Sequence, residues 1–320
     1  MLRSILIYLS KASWARSIVT NWKFAWRAAS RFVAGEELED ALNAIQVLNN
    51  KGINATLDHL GEHTTTPDEA RRAAQEIITI LDAIAASGVS SNVSLKLTQI
   101  GLALDQSLCE ENLRSILEVA QKYDNFVRID MEDSPWVDAT LEIYHKMKFD
   151  FGLENVGVVI QSYLYRSEGD IGQLNEECTA VRLCKGAYKE PPEIAYPKKQ
   201  DVDRNYDHLA EMLIDNSLSI GCPRISDDGV IPPSPAIATH DEERIKYVIS
   251  YVQKINFPKD ALEFQMLYGI RRDLQEQLIA EGYPVRVYVP YGTEWYPYYT
   301  RRLAERPANV WFFISNLFRK

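Results

Sequence analysis

From residue 50 onward two kinds of hydrophobic pattern alternate along the chain. Short apolar, largely β-branched runs are separated by longer stretches whose apolar positions recur at helical spacing. The short runs cover residues 54–58, 92–98, 125–131, 155–161, 179–185, 235–239, 261–267 and 284–289. Most show no clean period-two alternation, as expected of strands covered on both faces. The helical stretches include 67–86, 110–123, 135–148, 202–217 and 242–254, several with proline near the first turn. Residues 189–199 carry three prolines and read as a long loop after the fifth strand.

A strand followed by a helix, repeated eight times, predicts an α/β chain folded as a (β/α)8 barrel of the TIM type. Extra helices are expected at both ends, with residues 1–49 an N-terminal helical segment and 50–320 the catalytic barrel plus a C-terminal helix. The rival is an open doubly wound sheet. It usually carries a phosphate loop after its first strand, and neither GxGxxG nor GxxxxGK[ST] occurs. Polar residues recur late in or just after the predicted strands: Asp58, Lys96, Asp130, Gln161, Lys185, His240, Gln265 and Tyr288. In a parallel barrel these ends surround one mouth, so a shared pocket of mixed charge is expected there.

Composition narrows the function classes. The 320 residues are 46% hydrophobic and 25% charged, enough for one large core. A net charge of −10 argues against wholesale nucleic-acid binding, yet residues 1–35 hold six Lys or Arg and no Asp or Glu. The apolar run from Ile5 to Leu9 is too short for a signal sequence or a membrane span, so a cytoplasmic protein is expected. Trp14, Ile18, Trp22 and Trp26 recur every four residues among basic ones. That is the pattern of a helix lying on a membrane surface or, the preferred reading, of one packed on the barrel. The tail VWFFISNLFRK poses the same alternative, again with docking preferred. Cys109, Cys178, Cys184 and Cys222 form no CxxC pair and lack metal-ligand spacing, so free thiols in a reducing compartment are expected.

Four motifs carry candidate chemistry. In YGTEWYPYYTRRLAERP, Tyr298, Arg301, Arg302 and Glu305 share one helical face. Two arginines at the mouth suit a carboxylate, and an ordinary surface Arg–Glu pair is an equal alternative from spacing alone. In RLCKGAY, Arg182 and Lys185 bring cations to a Lys-Gly-Ala strand end where backbone can approach a ligand; a plain turn is the commoner use of such a dipeptide. Asp130, in RIDME, either faces the mouth or is a surface carboxylate. Lys96, in SLKLT, sits between apolar neighbours inside a closed barrel and is costly there unless it meets an anion. His240 is a lone histidine with an ordinary structural alternative, and Cys184 lacks a neighbouring histidine to make it a nucleophile.

Taken together, SLKLT, RIDMED, VVIQSYLYR, VRLCKGAY, IATHD, EFQMLYGIR and YVPYGTEWYPYYTRRLAERPAN resemble the proline dehydrogenases, in particular the short monofunctional bacterial type. The resemblance runs in order from about residue 50 to 310. It implies FAD held non-covalently over the barrel mouth and oxidation of L-proline to Δ1-pyrroline-5-carboxylate, with hydride passing from C5 to flavin N5. Carried over by motif, Asp130 and Arg182 would be catalytic. Lys96, Arg301 and Arg302 would bind the substrate carboxylate, and Leu267, Tyr288 and Tyr298 the ring. Met131, Gln161, Lys185, Gly186, Ala187, Thr239 and His240 would contact FAD. Asp130 would pair with one of the carboxylate-binding arginines, and Glu305 would brace their helix. The resemblance further implies a membrane quinone as electron acceptor. The pathway, rather than any residue, adds a functional link to a Δ1-pyrroline-5-carboxylate dehydrogenase. Peripheral contact with the inner face of a membrane belongs to the surface-helix alternative for the N-terminal segment. Lys189 stands where some members carry an aromatic, a departure that bears on flavin stacking. Other readings are a hydroxyproline dehydrogenase, against which Tyr288 fills the ring side, a folate-linked flavin reductase, and a flavin-binding sensor without turnover.

Overall fold

Local chemistry sets where many of the elements begin and end. In the computed structural model, which describes residue 26 and residues 29–61, 64–220 and 225–305, α1 (Leu38–Asn49) leads into β1 (Asn54–His59). Then follow α2 (Pro67–Ser87), β2 (Ser91–Lys96), α3 (Gln106–Lys122), β3 (Val127–Asp130), α4 (Val137–His145), β4 (Val156–Gln161) and α5 (Ser167–Glu176). The second half runs β5 (Val181–Cys184), α6 (Lys199–Ile220), β6 (Ala236–Ala238), α7 (Glu242–Lys254), β7 (Glu263–Leu267), α8 (Arg272–Ala280), β8 (Val285–Tyr291) and α9 (Trp295–Glu305). The Thr66 side chain caps α2 by accepting from Glu69 N, Pro67 opens its first turn, and Gly88 ends it in the left-handed region at φ 66°. Asp105 and Asp241 cap α3 and α7 in the same way. Each such cap is worth about 1 kcal/mol.

All eight strands pair in parallel and in chain order, and β8 closes on β1. The closed barrel is the expected TIM-type fold, and the β1–β8 pairing rules out the open sheet. Two expectations are corrected. Residues 135–148 are not one helix: a 3-10 turn (Ser134–Trp136) precedes α4, and a π turn (Lys146–Asp150) follows it. Cys178 is disulfide-bonded to a partner outside the described residues, whereas Cys109 and Cys184 are free thiols.

The strands also alternate after all. Ala55, Leu57, Val93, Leu95, Val127, Ile129, Val181, Leu183, Phe264, Met266, Val285 and Val287 belong to the main apolar core. Their sequence neighbours Thr56, Asp58, Asn92, Ser94, Arg128, Asp130, Arg182, Glu263, Gln265, Arg286 and Tyr288 turn the other way. Hydrogen bonds join these across strands that are not neighbours, from β5 to β2 and β3, and from β8 to β3, so they fill the barrel's interior. Apolar surface therefore packs outward against the helices, and the inside is polar. Gly157 makes room in that interior: a Cβ there would lie 2.7 Å from an Arg128 guanidinium nitrogen and 2.3 Å from Ala180 O.

The two ends of the barrel are closed differently. Below, a loop before β6 plugs the opening: Asn92 donates to Val230 O (3.0 Å), and Arg286 to Gly229 O (2.6 Å). On the barrel's flank, α1 packs against β1 and β8. Helix α9 instead contributes Trp295, Tyr296, Tyr298 and Tyr299 to a second apolar cluster. Its other members are Ala29, Phe32, Val33, Leu60 after β1 and Ile270 after β7. Helix α9 thus lies over the C-terminal mouth, with Trp26 against Trp295 at 5.5 Å.

Candidate active site

Parity along the strands decides which polar side chains meet. On β3, Arg128 and Asp130 point inward; on β5, Arg182 and Cys184 do. The Asp130 carboxylate accepts from Arg182 Nη1 (2.7 Å), Ser94 Oγ (2.7 Å) and Tyr288 Oη (2.8 Å). Lys96 Nζ stands 3.8 Å from Asp130 and 3.9 Å from Asp58, whose side chain is 2% exposed. Arg182 lies over the Tyr288 ring at 5.4 Å and donates from Nε to Gln265 Oε1 at 2.5 Å. Below it, Glu263 Oε1 accepts from Gln265 Nε2 (2.6 Å) and from Arg286 Nε (2.8 Å).

Cations and carboxylates alternate through this interior, because burying any one of them alone would cost far more than the pair returns. Burial, with the charge of Arg182 next, pushes the Arg128 pKa well down. Burial and then the charges of Asp130 and Asp58 hold the Tyr288 phenol well above its ordinary value, so it stays a donor.

Helix α9 adds its residues from above. The Arg302 guanidinium stacks on the Tyr298 ring at 5.2 Å, and both Arg301 and Arg302 are half-buried. Its charge reaches Cys184, whose thiol burial pushes up to about 11 despite the pull of Arg182, Arg128 and Arg302. A thiol so raised is no nucleophile at neutral pH. The Glu305 side chain lies outside the described residues.

The residues expected to hold a cofactor sit around the same mouth but do different things. Met131 is buried at the end of β3, and buried Gln161 donates to Glu132 O at 2.8 Å. Thr239 accepts from Asp241 N, and His240 Nε2 accepts from Leu267 N at 2.9 Å, which leaves the His240 proton on Nδ1. Gly186 takes φ 107°, where a Cβ would fall 2.3 Å from the Tyr163 ring, so glycine is required at this exit from β5. Ala187 beside it is exposed. Lys185 points away from the barrel axis. Its ammonium meets Asp203 (2.5 Å) and Asp241 (2.6 Å), with Lys199 joining the same two carboxylates.

Of the strand-end residues that the pattern predicted to share a mouth, Asp58, Lys96, Asp130, Gln265 and Tyr288 come together. Lys185 turns outward. Sequence reasoning missed Ser94, Glu263 and Arg286, although each lies two residues from an expected site residue on the same face of its strand.

The comparisons with known proteins agree with the barrel fold. The family model described as proline dehydrogenase matches residues 41–314. The chain is 44% identical over 297 residues to the proline dehydrogenase of Deinococcus radiodurans, covering 92% of this chain and 91% of that one. It is 40% identical over 324 residues to proline dehydrogenase 1 of Bacillus subtilis, across 100% of both. The bifunctional protein PutA of Escherichia coli is 28% identical over 317 residues, and there the match spans 88% of this chain but 23% of PutA. Among solved structures, proline utilization A of Bdellovibrio bacteriovorus, inactivated by N-propargylglycine, superposes with a TM-score of 0.81 at 26% identity. That match covers 95% of this chain and 36% of the other. A polar-cored barrel roofed by a double-arginine helix, matched over its full length by monofunctional relatives, belongs to an oxidoreductase acting on proline, and the chain is a member of the proline dehydrogenase family.

Proposed function

We propose that the chain oxidises L-proline to Δ1-pyrroline-5-carboxylate with FAD bound at the barrel mouth. The observation that carries this reading is the partly buried set Lys96–Asp130–Arg182–Tyr288 lying beneath α9 with its paired arginines.

The residues present fit a flavin dinucleotide. Met131 offers an apolar contact, Gln161 and Thr239 an amide and a hydroxyl, and Arg182 positive charge, while Gly186 and Ala187 leave the strand exit bare of bulk. With its ammonium shared between two carboxylates, Lys185 fits such a group less well than Arg182 does. Bound there, a flavin supplies the two-electron acceptor that C–H oxidation of an amine requires.

The chain's own residues supply orientation. Lys96, Arg301 and Arg302 would fix the substrate carboxylate by charge-assisted hydrogen bonds, and Leu267, Tyr288 and Tyr298 would flank the ring. Asp130 holds Arg182 and Tyr288 in place and offsets part of the positive charge. Tyr288, its hydroxyl committed to Asp130, fills space that a ring hydroxyl would need, which favours proline over hydroxyproline. The secondary amine must shed its proton before C5 can give up hydride, and nearby cations favour the neutral amine. Electrons would then pass to a membrane quinone. The product would pass to a Δ1-pyrroline-5-carboxylate dehydrogenase, a link supported by relatives named bifunctional of which this chain matches about a quarter.

The test is anaerobic. Purified protein should be yellow, and L-proline should bleach it while NADH should not. A colourless protein, or one bleached only by NADH, would overturn the proposal.

A further inference from the structure

We infer that Glu263 is a positioning residue for the site: by accepting from both Arg286 and Gln265, it fixes which end of the Gln265 amide faces Arg182. This rests on the reading of Arg182 as a working residue of the mouth.

Glu263 and Arg286 are 0% and 1% exposed, deep in the barrel below the residues that would meet substrate. An ionised carboxylate can only accept, and an arginine Nε can only donate. Gln265 lies between Glu263 and Arg182 and must present its NH2 to Glu263 (2.6 Å) and its oxygen to Arg182 (2.5 Å). Turned over, the amide would set donor against donor above and acceptor against acceptor below. The negative charge at Glu263 therefore dictates an orientation that reaches Arg182 with no contact of its own. Arg182 is then held from two sides, by Gln265 at Nε and by Asp130 at Nη1.

A buried Arg–Glu pair adds little stability over apolar residues of similar size. Its cost is understandable if it serves orientation. The competing explanation is that the pair only anchors the plug, because Arg286 also donates to Ala55 O (2.7 Å) and Gly229 O (2.6 Å).

The experiment compares Glu263→Gln with the double variant Glu263→Met/Arg286→Met, which removes the pair without stranding a charge. Both are assayed as holoenzyme for kcat, KM, thermal midpoint and the midpoint potential of the bound flavin. Positioning predicts a kcat at least about tenfold lower, with KM for proline within about twofold and a shifted potential. A folded double variant with wild-type kcat and potential overturns the inference and leaves the plug role. If either variant fails to fold, Gln265→Met leaves the Arg286–Glu263 pair intact while removing both the acceptor that Arg182 uses and the donor to Glu263, and it is judged by the same outcomes. If wild-type protein binds flavin but proline does not reduce it, the functional reading fails, while the potential still reports on Glu263.

Discussion

At the scale of single residues the paired arginines and Tyr288 make separable predictions. Arg301→Met and Arg302→Met should each raise KM for proline about 10²-fold, because a charged partner of a buried carboxylate is lost. Steady-state kinetics showing a near-wild-type KM for both would remove the carboxylate assignment. The pH profile should rise towards alkaline pH, since the reactive substrate form is the neutral amine. Tyr288 is not the titrating group: burial, then Asp130, keep its phenol protonated far above the working range. Tyr288→Phe should therefore lower activity yet retain the alkaline rise, and loss of that rise would make Tyr288 the base. Much at this scale was legible. Asp130, Lys96 and Tyr288 were readable from their positions late in β-like runs, and so was Gln265. Glu263 and Arg286 are not legible in this way, because short runs expected to be apolar on both faces hide the alternation that pairs Glu263 with Gln265 and Arg286 with Tyr288.

Between elements, the ion cluster joining β5, α6 and α7 should tune stability with pH. Burial pushes Asp207 up from 3.8 to about 6, with Asp203 and Glu211 adding and Arg244 opposing. A carboxyl raised in the fold favours the neutral form there. Its contribution is full below the unfolded value and is lost as pH rises through about 6. Asp241 behaves oppositely: burial raises it, but Lys185 and Lys199 outweigh burial and bring it to about 2. Its contribution is present above 3.8 and is lost as pH falls through about 2. Asp207→Asn should therefore gain in Tm relative to wild type between pH 5 and pH 8, measured by thermal unfolding; a constant difference would mean that Arg244 compensates the buried charge. Local sequence does not reveal this cluster, since α6 and α7 meet only in the closed barrel, and the parity of Lys185 turns it away from the mouth.

For the whole molecule, a net charge of −10 opposes contact with an anionic membrane except through the basic N-terminal segment. Among the described residues no helix is long and apolar enough to cross one. Trp26 packs on α9, which favours docking for that residue, whereas Trp14, Ile18 and Trp22 lie outside the described residues. Removing residues 1–35 would also take Ala29, Phe32 and Val33 from beneath α9, so deletion of residues 1–25 is the cleaner variant. Salt-sensitive binding to anionic liposomes that disappears in this variant would support a peripheral role. Binding unchanged by the deletion would exclude that segment as the contact.

The eightfold rhythm of strand and helix, the helix caps and the polar strand ends all follow from local sequence. Period, propensity and capping act within a few residues, and parallel pairing then sends every strand's C-terminal end to one side. Closure supplied the rest. Arg182 on β5 reaches Gln265 on β7 and Asp130 on β3 because the barrel's diameter brings them within a side chain's length. α1 occupies the flank of β8 and β1, so α9 is left to cover the mouth. Contacts of this kind join residues separated by 52 to 158 positions, and no local pattern encodes the distance between them.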